Sequence, residues 1–208
     1  MGILTVLAIF LINIVVEGIA RIDFDFLTSL PSRKAEKAGI LTAWVGTLWI
    51  ISFTFLIAVP LGICAGIYLE EYGGKSKLAS ILEVNISNLA GVPSVIYGLL
   101  GLEIYVRVFS MGSSVIAGSF TLALLILPII IVATREALKA IPSTIRAASY
   151  ALGASKWQTI WNQVLPASFG GILTGVILAI SRAVGETAPL IVVGALAYVP
   201  FTPKGPMD

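Results

Sequence analysis

Five long apolar segments dominate this chain and constrain what it can fold into. A helix needs about 20 apolar residues to cross the hydrocarbon core of a bilayer, and backbone inside that core must satisfy its own hydrogen bonds. Hydrophobic residues make up 58% of the chain and charged residues 12%, whereas soluble domains average about 25% charged residues. We therefore predict an all-α, polytopic bundle of transmembrane helices at roughly residues 1–20, 42–69, 86–109, 114–133 and 168–199.

The composition excludes several classes of function. The chain has no histidine and a single cysteine, Cys64. It can therefore form neither a His/Cys metal site nor a histidine-dependent catalytic triad. Its net charge of +2 is too small to indicate nucleic-acid binding. We expect no metal site and no catalytic residues.

An arginine and a glutamate interrupt the last apolar segment. Arg182 and Glu186 lie in the otherwise apolar stretch 177–193, where a charge costs at least about 2.5–3.5 kcal/mol. Residues four apart on a helix are neighbours, so we expect Glu186 to hold Arg182. A guanidinium presents a planar fork of donors that suits an oxyanion. The pattern predicts an anion path containing Arg182, Glu186 and Thr187. The alternative is an ion pair that only fixes helix packing.

A second interruption, Gly91–Ser94, lies in the third apolar segment. Broken helices expose backbone amides in transporters, so Ser94 is a further candidate for the path. A packing kink is the alternative. Tyr97 either lines the path or packs against lipid. Glu103 and Arg107, four residues apart, form either an interfacial pair or a gate.

The polar segment 134–166 sets the predicted orientation. Loops rich in Lys and Arg stay on the cytoplasmic side of a membrane. Threading the helices from this loop also puts residues 70–85 in the cytoplasm, and it puts residues 17–40 and 110–113 outside. The basic residues of the loop, opposed by Glu136 alone, are Arg135, Lys139, Arg146 and Lys156.

The same segment is predicted to form two short helices broken at Gly153. Glycine permits the left-handed turn that often ends a helix, and Ser155 can cap the helix that follows. Four residues at helical spacing predict one apolar face on that second helix: Trp157, Ile160, Trp161 and Val164.

Residues Ala147 to Pro166 resemble the coupling loop of bacterial ABC-importer permeases: a Glu-Ala-Ala-like triplet, three residues, a glycine and a later Leu-Pro. Ala147 stands at the glutamate position, and Gln163 at a position that is aliphatic in the family. In that family the loop docks in a cleft of the ATPase subunit. The resemblance implies this coupling contact for Ala147, Ala148, Ser149, Gly153, Ala154, Leu165 and Pro166.

Three further segments, Tyr68–Tyr72, Asn88–Leu99 and Arg182–Leu190, resemble the PstA family of phosphate-importer permeases. The likeness extends over about 42–199, within a single permease domain at 1–208. Family members carry six helices, so the resemblance implies that a last helix is missing here. It also implies a bacterial inner-membrane location and the following partners: phosphate, a second, PstC-like permease, PstB-like ATP-binding cassette subunits and an external PstS-like phosphate-binding protein.

Other functions stay open at this point. One is import of another oxyanion, such as sulfate, molybdate or tungstate. Another is a passive anion channel, although a channel needs no loop for an ATPase. The third is an intramembrane enzyme that uses Glu186 as a general base, although the chain offers it no nucleophile–base pair and no cofactor motif.

The end of the second apolar segment offers no nucleotide site. Gly74-Lys75-Ser76 resembles the tail of a phosphate-binding loop, but Leu69 stands where its first glycine is required. We therefore expect the chain to bind no cofactor and ATP to be used by a partner subunit. Glu70–Tyr72 is either a solvated helix end or a second ATPase contact.

Overall fold

The computed structural model describes residues 2–19, 22–34, 37–74, 76–89, 91–194, 201–203 and 205–207, apart from the side chain of residue 78. Across these ranges the regular structure is helical, without a strand, and the predicted all-α class is confirmed. The α-helices are α1 Gly2–Ile19, α2 Phe24–Thr28, α3 Leu41–Ile67, α4 Lys77–Leu89, α5 Ser94–Gly101, α6 Val115–Lys139, α7 Ser143–Ala151, α8 Lys156–Thr159, α9 Leu165–Gly185 and α10 Ala188–Val193. Three π-helical turns extend α3, α5 and α8, at Tyr68–Tyr72, Leu102–Val108 and Ile160–Val164.

Four helical stretches of the described chain are long and apolar enough to cross a membrane. They are Gly2–Ile19, Leu41–Tyr72, Val115–Lys139 and Lys156–Gly185. The first, second and fourth predicted helices are thus confirmed, with shifted ends. The fifth, 168–199, is confirmed up to Gly185, where α9 ends, and its residues 195–199 lie outside the described residues. α6 runs past the predicted end at 133, because the sequence from Arg135 to Lys139 consists of strong helix formers that extend a helix regardless of polarity.

The third predicted helix, 86–109, is interrupted where the sequence predicts, and its first part begins earlier than expected. α4 ends at Leu89, α5 begins at Ser94, and their axes are bent by 107°. Pro93 lacks an amide hydrogen and disfavours helical backbone at the residue before it, so α4 cannot continue through it. α4 also begins at Lys77, inside the predicted polar connection at 70–85. The two helices add a fifth span only if together they form one broken span.

The chain divides into two compact units, and the first comprises residues 1–49 and 196–205. In its described part, the Asp23 carboxylate caps α2 by accepting a 2.7 Å hydrogen bond from the amide of Phe26. The indole of Trp44 donates a 3.0 Å hydrogen bond to the carbonyl oxygen of Leu27. The single domain expected over 1–208 stays a prediction.

The second unit comprises residues 50–195 and 206–208, and α6 forms its centre. Leu122, Ile126 and Ile130 on α6 are completely buried. α9 packs along α6, while α5 and α10 pack against each other and against α6. α3 contributes Thr54, whose hydroxyl donates to the carbonyl oxygen of Ser119 on α6 at 3.3 Å.

Small residues bring α6 and α9 unusually close. A Cβ atom at Gly171 would lie 2.8 Å from the Cβ of Ala137, and one at Gly175 would collide with Ala133. Small residues at such contacts let membrane helices approach through their backbones. The contacts also fix the antiparallel register of the two helices.

Candidate functional site

The register between α6 and α9 fixes the depth of Arg182. Gly175 lies beside Ala133. Continued along both helices, this register places Arg182 beside about Ile126, near the middle of α6. Arg182 is exposed on the surface of this single chain. The packing therefore places Arg182 about halfway along α6.

Glu186 does not hold Arg182 as the sequence predicted. α9 ends at Gly185, and Glu186 has extended backbone, with φ −93° and ψ 111°. The spacing of four residues makes neighbours only on a continuous helix. No ion pair among the described residues joins the two side chains. Glu186 is half-buried in the break, and the exposed Thr187 immediately precedes α10.

The other interruption places Ser94 at nearly the same depth. α5 runs antiparallel to α6, and Gly101 packs against the side chain of Thr121. Tyr97, one turn after Ser94, belongs to the same buried cluster as Ala183, the neighbour of Arg182. Ser94 and Arg182 come from distant parts of the sequence, yet both lie near the middle of α6.

Tyr97 neither lines a path nor faces lipid. Its side chain is only 3% exposed, so both readings from the sequence are wrong. The hydroxyl donates to the carbonyl oxygen of Leu89.

The segment after the break in the last span packs directly on α5. A Cβ atom at Gly98 would lie 2.8 Å from the Cα of Pro189, so only glycine allows this approach. α10 then ends at Val193, and Gly194, which follows it, has φ +113°. The structure therefore brings together the two interruptions that carry the candidate residues Ser94 and Thr187.

The predicted break and cap in the polar segment are confirmed. Gly153 has φ +84°, a left-handed conformation that favours glycine. Ser155 caps α8 with a capping box, in which its own amide donates to the side chain of Gln158 at 2.8 Å. The second helix is not short, however, because α8 runs through its π-helical turn into α9.

The residues implied in ATPase coupling differ in exposure. Ala147, Ala148 and Gly153 are exposed, as is Pro166 in the first turn of α9, while Ala154 is half-buried. Ser149 is half-buried and shares a 2.8 Å hydrogen bond with Thr159. Leu165 packs against the core. Leu152, between the two helices, is 90% exposed.

The apolar face predicted on the second helix divides into two. Ile160 and Val164 are completely buried, whereas Trp157 and Trp161 are each 59% exposed. The two indoles stack with ring centroids 5.7 Å apart. The four side chains spread over more of the helix surface than the core covers. Only Ile160 and Val164 therefore reach the core, and the two tryptophans stay exposed.

Two glutamates at the end of α3 bind arginines of the predicted cytoplasmic segment. Glu70 pairs with Arg135 at 3.4 Å, and Glu71 pairs with Arg146 at 2.7 Å. The Glu71 side chain is only 7% exposed. Glu70 and Glu71 are therefore not a freely solvated helix end, and the alternative, a second ATPase contact at Glu70–Tyr72, stays a prediction.

These two ion pairs were not predicted from the sequence. The excess of basic residues in 134–166 was the one signal that acidic partners lie elsewhere in the chain. Local patterns do not encode contacts between residues 65 and 75 positions apart. By itself, the excess of basic residues in 134–166 predicts the orientation and not the partner of each residue. Glu103 and Arg107 form an exposed ion pair at 2.9 Å, and its role as an interfacial pair or a gate stays a prediction.

Comparison with known proteins identifies the family. Residues 58–205 match the family described as binding-protein-dependent transport system inner membrane component. The chain belongs to this family. It is accordingly an inner-membrane protein of a transport system, and its helices fit that location.

Relatives of this transport-system component include proteins described as permeases. The chain is 40% identical to the phosphate transport system permease protein PstA of Haemophilus influenzae, over 87% of this chain and 64% of the relative. It is 41% identical to PstA of Yersinia pestis, over 87% of this chain and 61% of the relative. It is 30% identical to the probable ABC transporter permease protein YqgI of Bacillus subtilis, over 94% of this chain and 69% of the relative. The chain thus spans about two thirds of the length of these relatives.

A solved structure shares the fold of this family member. A chain of the inward-facing MetNI methionine ABC transporter superposes with a TM-score of 0.62 at 22% identity. The superposition covers 75% of this chain and 74% of that chain. The predicted helical permease architecture is confirmed at the level of the fold.

Proposed function

We propose that this chain is the permease subunit of an ATP-driven phosphate importer and forms the anion path together with a second, PstC-like permease. The observation that carries the proposal is the 40–41% identity to two PstA permeases over 87% of the chain. The site at the middle of α6 supports it independently, because its chemistry suits an anion.

Arg182 is the residue that we expect to meet the anion. A charge at this depth is costly unless it lies in a water-filled path or has a partner. The exposed guanidinium would face the companion permease, where the path forms. Its planar donors can bind two oxygens of a tetrahedral oxyanion at once.

The start of α5 complements Arg182. The amides in the first turn of a helix lack partners within that helix, and the helix dipole favours negative charge there. α5 begins at Ser94, at nearly the same depth as Arg182. A half-helix that starts inside the membrane and presents its N-terminus to an anion is a known transporter arrangement.

The end of α7 and the turn that leads to α8 form the exposed surface that we expect to dock on a PstB-like ATP-binding subunit. Ala147, Ala148 and Leu152 offer it small and apolar side chains. The partner would bind and hydrolyse ATP, and this chain would bind no cofactor. A PstS-like protein would deliver phosphate from outside. Closure of the ATPase pair would then push on this turn and switch access to Arg182.

Uptake of radiolabelled phosphate by the assembled complex tests the proposal. The complex would contain this chain with its companion permease, ATPase and binding protein, in cells without another high-affinity phosphate importer. We expect ATP-dependent uptake that excess sulfate or molybdate does not reduce. Uptake of one of those anions in place of phosphate would move the assignment to another oxyanion importer. Uptake without ATP would indicate a channel.

Substitution of Arg182 tests the site within the same assay. Arg182→Gln should lower uptake about 10- to 100-fold, since a hydrogen bond to a charged group contributes about 1.5–3 kcal/mol. Arg182→Lys should lower it less, because the charge remains but the fork is lost. Arg107→Gln is the matched control, because the Arg107 side chain is 65% exposed and, among the described residues, forms an ion pair only with Glu103. Normal uptake by a fully assembled Arg182→Gln complex would reject this role.

A further inference from the structure

We call residues 147–155, the end of α7 and the connection to α8, the coupling turn. One residue, Glu71, binds the residues on both sides of it. Arg146 precedes the turn, and its Nε and Nη2 atoms donate to Glu71 Oε1 at 3.2 and 2.7 Å. Lys156 follows the turn, and its ammonium donates to the backbone carbonyl oxygen of Glu71. The same ammonium lies 4.6 Å from the centroid of the Tyr72 ring. The end of α3 therefore contacts both flanks of residues 147–155.

The Arg146 guanidinium also joins this contact to α6. Its Nη1 atom donates to the carbonyl oxygen of Ile141 at 2.9 Å, and Nη2 donates to that of Leu138 at 3.0 Å. Side-chain exposure is 20% for Arg146 and 7% for Glu71. A largely buried pair whose guanidinium makes two further hydrogen bonds to carbonyl oxygens is costly to break. One guanidinium thus connects the ends of α3 and α6 to the start of α7.

The neighbouring ion pair has a different arrangement. Arg135 contacts Glu70 at 3.4 Å and Glu83 at 3.0 Å, so it ties α3 and α4 to α6. It makes no ion pair with the coupling turn in the described chain. Adjacent glutamates at the end of α3 therefore have separate tasks, and Glu71 is the one that faces the turn.

From the end of α3, a packed route leads to the middle of the bundle. A Cβ atom at Gly66 would lie 2.7 Å from the Cβ of Thr134, and one at Gly62 would lie 2.6 Å from Ile130 Cγ2. One turn further, Ala58 belongs to the same buried cluster as Ala183, the neighbour of Arg182. Tightly packed helices transmit displacement because interiors have low compressibility.

We propose that Glu71 is a positioning residue that couples movement of the 147–155 turn to α3 and so to the anion path. The inference rests on the proposed function, because it assigns the source of that movement to the ATPase. With both flanks bound to Glu71, the turn cannot move without moving the end of α3. Loss of the Glu71 carboxylate should therefore uncouple ATP hydrolysis from transport.

The test measures phosphate uptake and ATP hydrolysis in the same proteoliposomes containing the assembled complex. Glu71→Gln keeps the backbone oxygen and the shape but removes the charge. We expect hydrolysis to stay responsive to the phosphate-loaded binding protein, while uptake per ATP falls about 2- to 30-fold, the effect of a coupling energy of about 0.5–2 kcal/mol. Glu136→Gln is the matched control, because it removes an exposed pair with Lys139 on α6 that lies outside this link.

A purely structural role would lower hydrolysis and uptake together, or prevent assembly, without changing uptake per ATP. An unchanged ratio in Glu71→Gln, or the same fall in Glu136→Gln, overturns the inference. If Glu71→Gln does not assemble, Lys156→Met provides the test. This substitution leaves the Arg146–Glu71 ion pair intact and removes the hydrogen bond from Lys156 to the Glu71 carbonyl oxygen. We expect a smaller fall in uptake per ATP for Lys156→Met, and no fall overturns the inference.

The two proposals fail in different ways. A wild-type complex that imports another oxyanion refutes phosphate as substrate, and the ratio for Glu71→Gln is then measured with that anion. A wild-type complex that imports phosphate, combined with an unchanged ratio in the variant, refutes only the role of Glu71.

Discussion

The hydroxyl of Tyr97 on α5 donates a 2.7 Å hydrogen bond to the carbonyl oxygen of Leu89, the last residue of α4. The bond closes the 107° bend across Pro93, where the end of α4 leaves carbonyl groups without partners in the helix. Because Ser94 lies in this bend, the bond also holds the start of α5 where the anion path is proposed.

Tyr97→Phe should loosen the bend without unfolding the bundle. Loss of one hydrogen bond costs about 1 kcal/mol, so the amides near the end of α4 should exchange with solvent about fivefold faster. Hydrogen exchange of the detergent-solubilised protein, read by mass spectrometry, measures this. Tyr105→Phe is the control, because its ring stacks on Phe120 at 5.2 Å and its hydroxyl makes no hydrogen bond among the described residues. Equal effects of the two substitutions would contradict the prediction.

Close packing of α6 on α9 predicts opposite effects for two glycines on the same helix. Gly175→Ala should destabilise the protein by about 1–3 kcal/mol, the usual cost of overpacking, because the new Cβ collides with Ala133. Gly170→Ala should be neutral or stabilising by up to about 1 kcal/mol, since alanine favours helix and nothing lies within 4 Å of the new atom. Thermal unfolding in detergent compares them, and a loss of stability in Gly170→Ala as large as that in Gly175→Ala would refute the register.

Much of the fold follows from local sequence. Apolar length predicts the spans, and Gly153 and Ser155 predict the break and the cap beside the coupling turn. The bend before Ser94 was recognised as an interruption, but its 107° angle depends on how α4 packs against α6. Propensity carries no information on such packing.

Only the part of the candidate site that depends on local sequence was predictable. An arginine inside an apolar run identifies Arg182 without any structure. The equal depths of Arg182 and Ser94 follow only from the small-residue contacts of α9 and α5 with α6. The role of Glu71 depends on Arg146, 75 positions later, and no local pattern pairs those residues.

The end of α9 at Gly185 predicts that Arg182 and Glu186 act independently in transport. With Arg182→Gln, Glu186→Gln and the double variant, the coupling energy from uptake rates should be below about 0.5 kcal/mol, as for residues that do not interact. The single Glu186→Gln variant should retain more uptake than Arg182→Gln. A coupling energy above about 1 kcal/mol would indicate that the two charges pair during the transport cycle.

Exposure of Leu152 allows a direct test of the orientation, which rests on the basic residues of 134–166. In a Cys64→Ser background, Leu152→Cys should react with a membrane-impermeant maleimide in inside-out vesicles and not in intact spheroplasts. Val108→Cys, at a position 72% exposed beside the predicted outer loop, should show the reverse. Adding the ATPase subunit should slow labelling of Leu152→Cys, because the proposed dock covers that side chain. Labelling of Leu152→Cys from the outside would invert the topology and remove the ATPase contact with it.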